Sequence, residues 1–161
     1  MTQAGSGRGG AVRCDADGHG VTIFTDGGCR RNPGLGAWAA VILSEGDRQE
    51  ICGVESRTTN NRMELTAAIE ALRTLEPGCV VTVITDSNYL RRGVTEWMPR
   101  WIARGWKTAD KKPVLNRDLW EQLNDVVRQQ DIEWKWVRGH SGEPENERCD
   151  ELVNEAMDKY E

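Results

Sequence analysis

Phenylalanine occurs once in this chain and tyrosine twice, so seven Trp carry almost all of the aromatic surface. Trp is costly to leave without a packing or contact role, and so many in 161 residues need a reason. Long apolar runs are missing: none approaches the ~20 residues needed to cross a bilayer. The first residues, MTQAGSGRGGAVRCDADGHG, contain no apolar segment, which excludes a secretory signal there. Paired cysteines are also missing. Cys14, Cys29, Cys52, Cys79 and Cys149 are odd in number and scattered, with no C-x-x-C. That speaks against a disulfide framework or a zinc site and fits reduced thiols in a cytoplasmic protein. No local signature marks any of them as half of a Cys–His nucleophilic pair.

What is present fits one globular domain. A charged content of 29% and a hydrophobic content of 38% suit a chain that buries a core. The Gly-rich residues 1–19 read as a flexible leader and 20–161 as a single domain. The net charge of −5 argues against a polyanionic partner only until its distribution is read. Between Trp97 and Arg117 lie six basic residues and one acid, a local charge of +5. From Glu143 onward eight acids face two basic residues, a local charge of −6.

Periodicity orders the elements. VTIFTDGG (21–28), GAWAAVILSEG (36–46) and ICGVESRTT (51–59) read as three neighbouring strands joined by turns, an antiparallel meander. Leu65, Ala68, Ile69, Leu72 and Leu75 recur at helical spacing until Pro77-Gly78, with Asn61 as the expected helix start. CVVTVITD (79–86) has the β-branched continuity of a strand covered on both faces. A helix is expected from Ser87, then the basic Trp-rich stretch, then a helix through Leu119, Trp120, Leu123, Val126 and Val127. DIEWKWVRG (131–139) alternates as a strand, and Pro144 opens a last helix with Cys149, Leu152, Val153, Ala156 and Met157 along its seam. The order predicts an α/β fold with a mixed sheet flanked by helices.

Two strands are expected to end alike, in Thr25-Asp26 and Thr85-Asp86. Side by side in one sheet, they would meet at the carboxyl ends where such sheets bind ligands. Taken singly, each Asp reads as a turn or cap residue. Glu64 at the mouth of its helix and Asp150 beside the buried Cys149 add two further acids. Four carboxylates in one cleft require neutralisation, and hard divalent cations such as Mg²⁺ provide it.

At this point the motifs become specific. VTIFTDGGCRRNPGLGAW, TTNNRMEL, TDSNY, GWKTADKKPV and RGHSGEPENERCDEL together resemble the bacterial ribonuclease HI family, in order, over nearly the whole of the expected domain. The resemblance implies a ribonuclease H-like fold with a five-stranded mixed sheet, its first three strands antiparallel. It implies an endoribonuclease acting on the RNA strand of an RNA·DNA hybrid and leaving 5′-phosphate and 3′-hydroxyl ends. Two Mg²⁺ ions would be held by Asp26, Glu64, Asp86 and Asp150, with Mn²⁺ a possible substitute and Asp26 bridging both. His140 falls on the family's loop histidine for proton transfer or product release, and Glu147 on a supporting acid. Gly27, Cys29, Asn60 and Asn88 match positions near the RNA strand, where the 2′-hydroxyl is read. Asn32, Arg57 and Thr59 match a pocket for a phosphate of the DNA strand, and Trp97 and Trp120 an aromatic platform beside it. Residues 97–114 match a basic protrusion, with Arg100, Arg104, Lys107, Lys111 and Lys112 as phosphate contacts. Met98-Pro99 and Leu115 stand where relatives carry more polar or basic residues, Asn88 where Gln is frequent, and Ser141 where Ala is. The expected protein is a cytoplasmic monomer. Its rivals are an exonuclease or integrase of the same broad fold and a hybrid-binding module without catalysis. Such an exonuclease would carry Asp-x-Glu where this chain reads Asp26-Gly27-Gly28, and the binding module would not need four carboxylates.

Overall fold

The structure is a computed structural model that describes residues 20–108, 110–138 and 142–161. Three strands open it: β1 (Val21–Cys29), β2 (Gly34–Ser44) and β3 (Asp47–Thr58). Helix α1 (Asn60–Arg73) leads to β4 (Val80–Thr85), followed by α2 (Asn88–Arg92), a π turn (Gly93–Trp97) and α3 (Met98–Ala103). Helix α4 (Arg117–Val127), β5 (Asp131–Trp136) and α5 (Pro144–Tyr160) complete the order.

The five strands form one sheet in the order β3-β2-β1-β4-β5. β1, β2 and β3 pair antiparallel, whereas β1–β4 and β4–β5 pair parallel. This is the mixed sheet that the strand order and the family resemblance imply. Each face is covered by its own core. On one, Ile23, Val81 and Val83 pack with Met63, Leu65, Ile69 and Leu72 of α1 and with Leu119, Trp120 and Leu123 of α4. On the other, Phe24, Ala39 and Val41 pack with Cys149, Leu152, Val153 and Met157 of α5. Alternation along β1 and β4 therefore assigns even and odd residues to different layers.

The cap of helix α1 lies two residues earlier than Asn61. Thr59 is its N-cap, in an extended conformation, and its hydroxyl accepts from the Arg62 amide at 3.2 Å. Ala67, Ala68 and Ala71 are wholly buried and let the helix lie close to the sheet. α2 starts as expected, with Ser87 capping Leu90 at 3.1 Å. Past it, Gly93 leaves room for Trp120, whose ring would lie 1.9 Å from any Cβ placed there. The basic stretch folds back on itself through an antiparallel bridge of Lys107 with Pro113. Trp106, Lys111 and Asn116 adopt positive φ within it and at its foot.

The expectation of reduced thiols is corrected at Cys79, which is disulfide-bonded, while Cys29, Cys52 and Cys149 are free. Whether two sulfurs meet depends on Cβ separations that linear spacing does not convey. Among the described residues no helix is long and apolar enough to cross a membrane. The leader lies outside the described residues.

Candidate active site

Strand register brings the first two carboxylates together. β1 and β4 run parallel with Thr25 opposite Thr85, so the next residues, Asp26 and Asp86, are neighbours. β4 ends there, but β1 does not: it continues along β2 to Cys29. Asp26 thus sits inside a strand rather than at its end, correcting the expectation that it closes one. It is only 8% exposed, and one of its oxygens accepts from the Gly27 amide at 2.9 Å.

The other two carboxylates come from the helical layers. A Cβ on Gly27 would lie 2.4 to 2.7 Å from the backbone of Met63 and Glu64. Only glycine lets α1 approach β1 this closely, and the approach puts Glu64 beside Asp26. Ligand oxygens of Asp26, Glu64 and Asp86 lie within 4.8 Å of one another. From the opposite layer, Asp150 of α5 is close enough to share a hydrogen bond with the protonated form of Asp26.

The cost of this convergence is visible. Burial, then the charges of Asp86 and Asp150, push the Asp26 carboxyl up to about 8. Burial raises Glu64 well above the usual carboxylate range, with repulsion from Asp26 and Asp86 adding to it. Glu64 as a residue is partly exposed, yet its Oε2 is sealed from solvent and has no hydrogen-bond partner among the described residues. A buried, unpaired carboxylate oxygen facing two more carboxylates is a poor arrangement for protons alone. It suits a hard divalent cation, which accepts oxygen ligands and cancels their repulsion.

The loop residues cluster beside this centre. The Asn60 side chain accepts from the Cys29 amide at 2.7 Å, and that of Asn32 from the Asn60 amide at 3.3 Å. Both therefore tie the β1–β2 turn to the start of α1, next to the capping Thr59. Arg57 is exposed nearby in sequence, and Asn88 is exposed on the first turn of α2, two residues past Asp86. Glu147 is exposed on α5 one helical turn before Asp150. Its companion His140 lies outside the described residues.

Arg100, Arg104, Lys107, Lys111 and Lys112 are all exposed. The same part of the chain contributes to a groove of about 290 Å³ lined by Tyr89, Trp97, Trp101, Thr108, Val114 and Leu115. Trp97 is half-buried, with the Arg92 guanidinium 5.2 Å from its ring centre. Trp120 needs correcting: it is 0% exposed and lies beneath the groove, where it holds Tyr89 and Trp101 instead of meeting a ligand. Trp101 and Tyr89 were missed as groove residues. The Trp97–Trp101 spacing of one helical turn was the available signal, since it puts both rings on one face.

Known proteins share this arrangement of elements. The RNase H family model matches residues 18–158. A ribonuclease H of Cupriavidus necator is 55% identical over 138 residues, covering 86% of this chain and 95% of that protein. A ribonuclease HI of Pseudomonas aeruginosa is 54% identical over 137 residues, covering 85% and 93%. Among solved structures, LC9-RNase H1, a type 1 RNase H with the type 2 active-site motif, superposes with a TM-score of 0.78 at 31% identity, covering 90% of this chain and 75% of that one. LC11-RNase H1 in complex with RNA/DNA hybrid gives 0.66 at 26% identity, covering 87% and 98%.

Proposed function

The chain belongs to the RNase H family, alongside the bacterial ribonucleases HI, and on that premise we propose that it cuts the RNA strand of RNA·DNA hybrids with two Mg²⁺ ions. The supporting observation is the meeting of Asp26 and Asp86 from the sheet with Glu64 and Asp150 from its two flanking layers, around a Glu64 oxygen that has no hydrogen-bond partner among the described residues. Mn²⁺, which takes the same oxygen donors, is the expected substitute.

Asp26, at the centre of the four, would bridge both ions; Glu64 and Asp86 would complete the first site and Asp150 the second. When bound, the ions supply an activated water and charge compensation at the scissile phosphate, so that hydrolysis leaves 5′-phosphate and 3′-hydroxyl ends. The chain's own residues do the rest. Cys29 at the end of β1, Asn60 at the start of α1 and Asn88 at the start of α2 orient the RNA strand through its 2′-hydroxyls. Asn32, Arg57 and Thr59 hold a DNA-strand phosphate, and the Trp97 face of the groove carries the deoxyribose side. The exposed cations of residues 97–114 grip the backbone of the duplex. His140 takes and releases a proton near neutrality. Glu147 supports the metal-facing end of α5.

The test is cutting of a labelled hybrid. Wild type should require Mg²⁺, leave a 5′-phosphate on the downstream fragment and spare duplex DNA. Asp26→Asn should bind the hybrid and fail to cut it. Undiminished cutting by that variant would refute the site, and equal cutting of duplex DNA would refute the specificity. A binding module without catalysis has no feature of the site in its favour, because binding alone gains nothing from four repelling carboxylates.

A further inference from the structure

β5 is an edge strand, and the two Trp on one face of it have different surroundings. Trp134 leans on the core shared with α1 and α4, whereas Trp136, the last residue of the strand, is 45% exposed. Burial therefore does not account for so large a side chain at position 136. Its indole nitrogen has a specific partner instead, the main-chain oxygen of Asp86, to which it donates at 3.1 Å. The strand register brings this about. Thr85 and Trp136 are partners in the parallel pairing of β4 with β5, and the Val137 amide donates to the Thr85 carbonyl at 3.0 Å. Asp86 lies one residue beyond that pairing, where the backbone turns from β4 towards α2.

Of the four carboxylates, Asp86 has the least regular backbone. Asp26 lies within a strand and Glu64 and Asp150 within helices, so ladders of main-chain bonds fix those three. Asp86 stands in the joint between two elements. The Thr85 hydroxyl accepts from the Ser87 amide at 3.0 Å, and the Ser87 hydroxyl accepts from the Leu90 amide at 3.1 Å. Those two bonds shape the joint on either side of Asp86, and the Trp136 indole acts on the Asp86 peptide itself. The carbonyl and the side chain leave the same Cα, so holding one restricts the other. The restriction matters because Asp86 must bring an oxygen within 4.8 Å of those of Asp26 and Glu64, against their repulsion. We propose that Trp136 is a positioning residue, which holds the Asp86 carboxylate towards Asp26 and Glu64 and thereby raises the affinity of the centre for a divalent cation. This rests on the reading of Asp86 as a metal ligand.

The test uses the full chain with Trp136→Phe, which keeps an aromatic ring and removes the N–H, beside Trp134→Phe as a packing control on the same strand. Mg²⁺ binding is measured by calorimetry without nucleic acid, and cutting of a labelled hybrid is followed as Mg²⁺ is raised. Trp136→Phe should weaken Mg²⁺ binding about 10-fold, the lower end for loss of an outer partner of a metal ligand. The Mg²⁺ needed for half-maximal cutting should rise by about the same factor, with KM for the hybrid within about twofold of wild type. Trp134→Phe should lower the urea midpoint and leave Mg²⁺ affinity unchanged. A measurement on wild type needs no variant: the Trp136 indole N–H should exchange with solvent at least about 10-fold more slowly than a free indole, although its ring is exposed. Exchange at the free rate overturns the contact. Unchanged Mg²⁺ affinity in a folded Trp136→Phe overturns the positioning role, and an equal loss in Trp134→Phe overturns it too, by making the effect one of strand packing. If wild type itself binds no Mg²⁺, the reading of the metal centre falls and not only this contact.

Discussion

Replacing Asp26 by Asn should destroy cutting and yet make the metal-free protein more stable. Asp26 is buried among Asp86, Glu64 and Asp150, and its carboxyl titrates near 8 in place of 3.8. Between those two values the folded state holds a proton that the unfolded chain has released. Unfolding therefore becomes easier as pH rises through the window, by about 1.4 kcal/mol for each pH unit. From pH 4 to pH 7 the loss comes to about 4 kcal/mol as an upper bound. Asn has nearly the same shape, carries no charge at any pH and avoids the loss. It also removes one of the two charges that repel Glu64. In EDTA, urea unfolding should therefore show Asp26→Asn about equal to wild type near pH 4.5 and more stable by roughly 1 to 4 kcal/mol near pH 7.5. Saturating Mg²⁺ should narrow or reverse the gap, because it stabilises only the folded form that binds it. A variant no more stable than wild type at pH 7.5 in EDTA would refute the reasoning, as would a gap that does not change with pH.

Gly27→Ala should lower stability by roughly 2 to 3 kcal/mol in urea, because its Cβ would meet helix backbone at 2.4 Å. The same variant should weaken Mg²⁺ binding by calorimetry, since Glu64 is carried away from Asp26; unchanged affinity would refute the role of that approach. Thr59→Ala should cost about 1 kcal/mol through loss of the α1 cap, whereas Asn61→Ala should be near neutral, and the opposite ranking would restore Asn61 as the helix start. Lys111→Ala and Lys112→Ala together should lower the slope of log affinity against log salt by about 2, with little effect on kcat. An unchanged slope would remove both from the substrate path.

How much of this was legible in the sequence follows from the range of each interaction. Strand and helix periods depend on neighbours a few residues apart, so the strand order and the helical seams could be read directly. Asp26 and Asp86 were paired through a local likeness, Thr-Asp after a β-rich run, and parallel register does align them. The same likeness misplaced Asp26 at a strand end, because the extension to Cys29 is imposed by pairing with β2, which no local pattern reports. The cap moved from Asn61 to Thr59 for a similar reason. Asn60 and Asn61 both suit a cap, but Asn60 is drawn to the Cys29 amide across the β1–β2 turn. That shift places Glu64 beyond the first turn, so it makes no capping-box bond and is left to face the carboxylates. Trp120 was placed at the platform by the family resemblance, whereas residue type alone favours a core position for a Trp, and the structure buries it. Gly93 leaves the space its indole fills.

A site built from mutual repulsion needs something outside it to hold its members in place, and the two helices do this alike. Each of the two helices carries an arginine two residues before its converging carboxylate: Arg62 before Glu64, and Arg148 before Asp150. Two residues along a helix turn through about 200°, so the arginine leaves the side of the helix opposite the carboxylate. Arg62 forks onto Asp118 of α4, and Arg148 forks onto Glu50 of β3 at 2.9 and 3.2 Å. On α5 a second fork, Arg48 of β3 onto Glu145 at 2.9 and 2.8 Å, sits nearer the start of the helix. All of these pairs are partly exposed, so each adds at most about 1 kcal/mol to stability. Their value is directional: a two-pronged pair fixes rotation about the helix axis, which an apolar seam leaves looser. Rotation about that axis is the motion by which Glu64 or Asp150 would swing away from Asp26. The charges that hold the helices are thus kept apart from the carboxylates that converge on Asp26, on the far side of the same two turns.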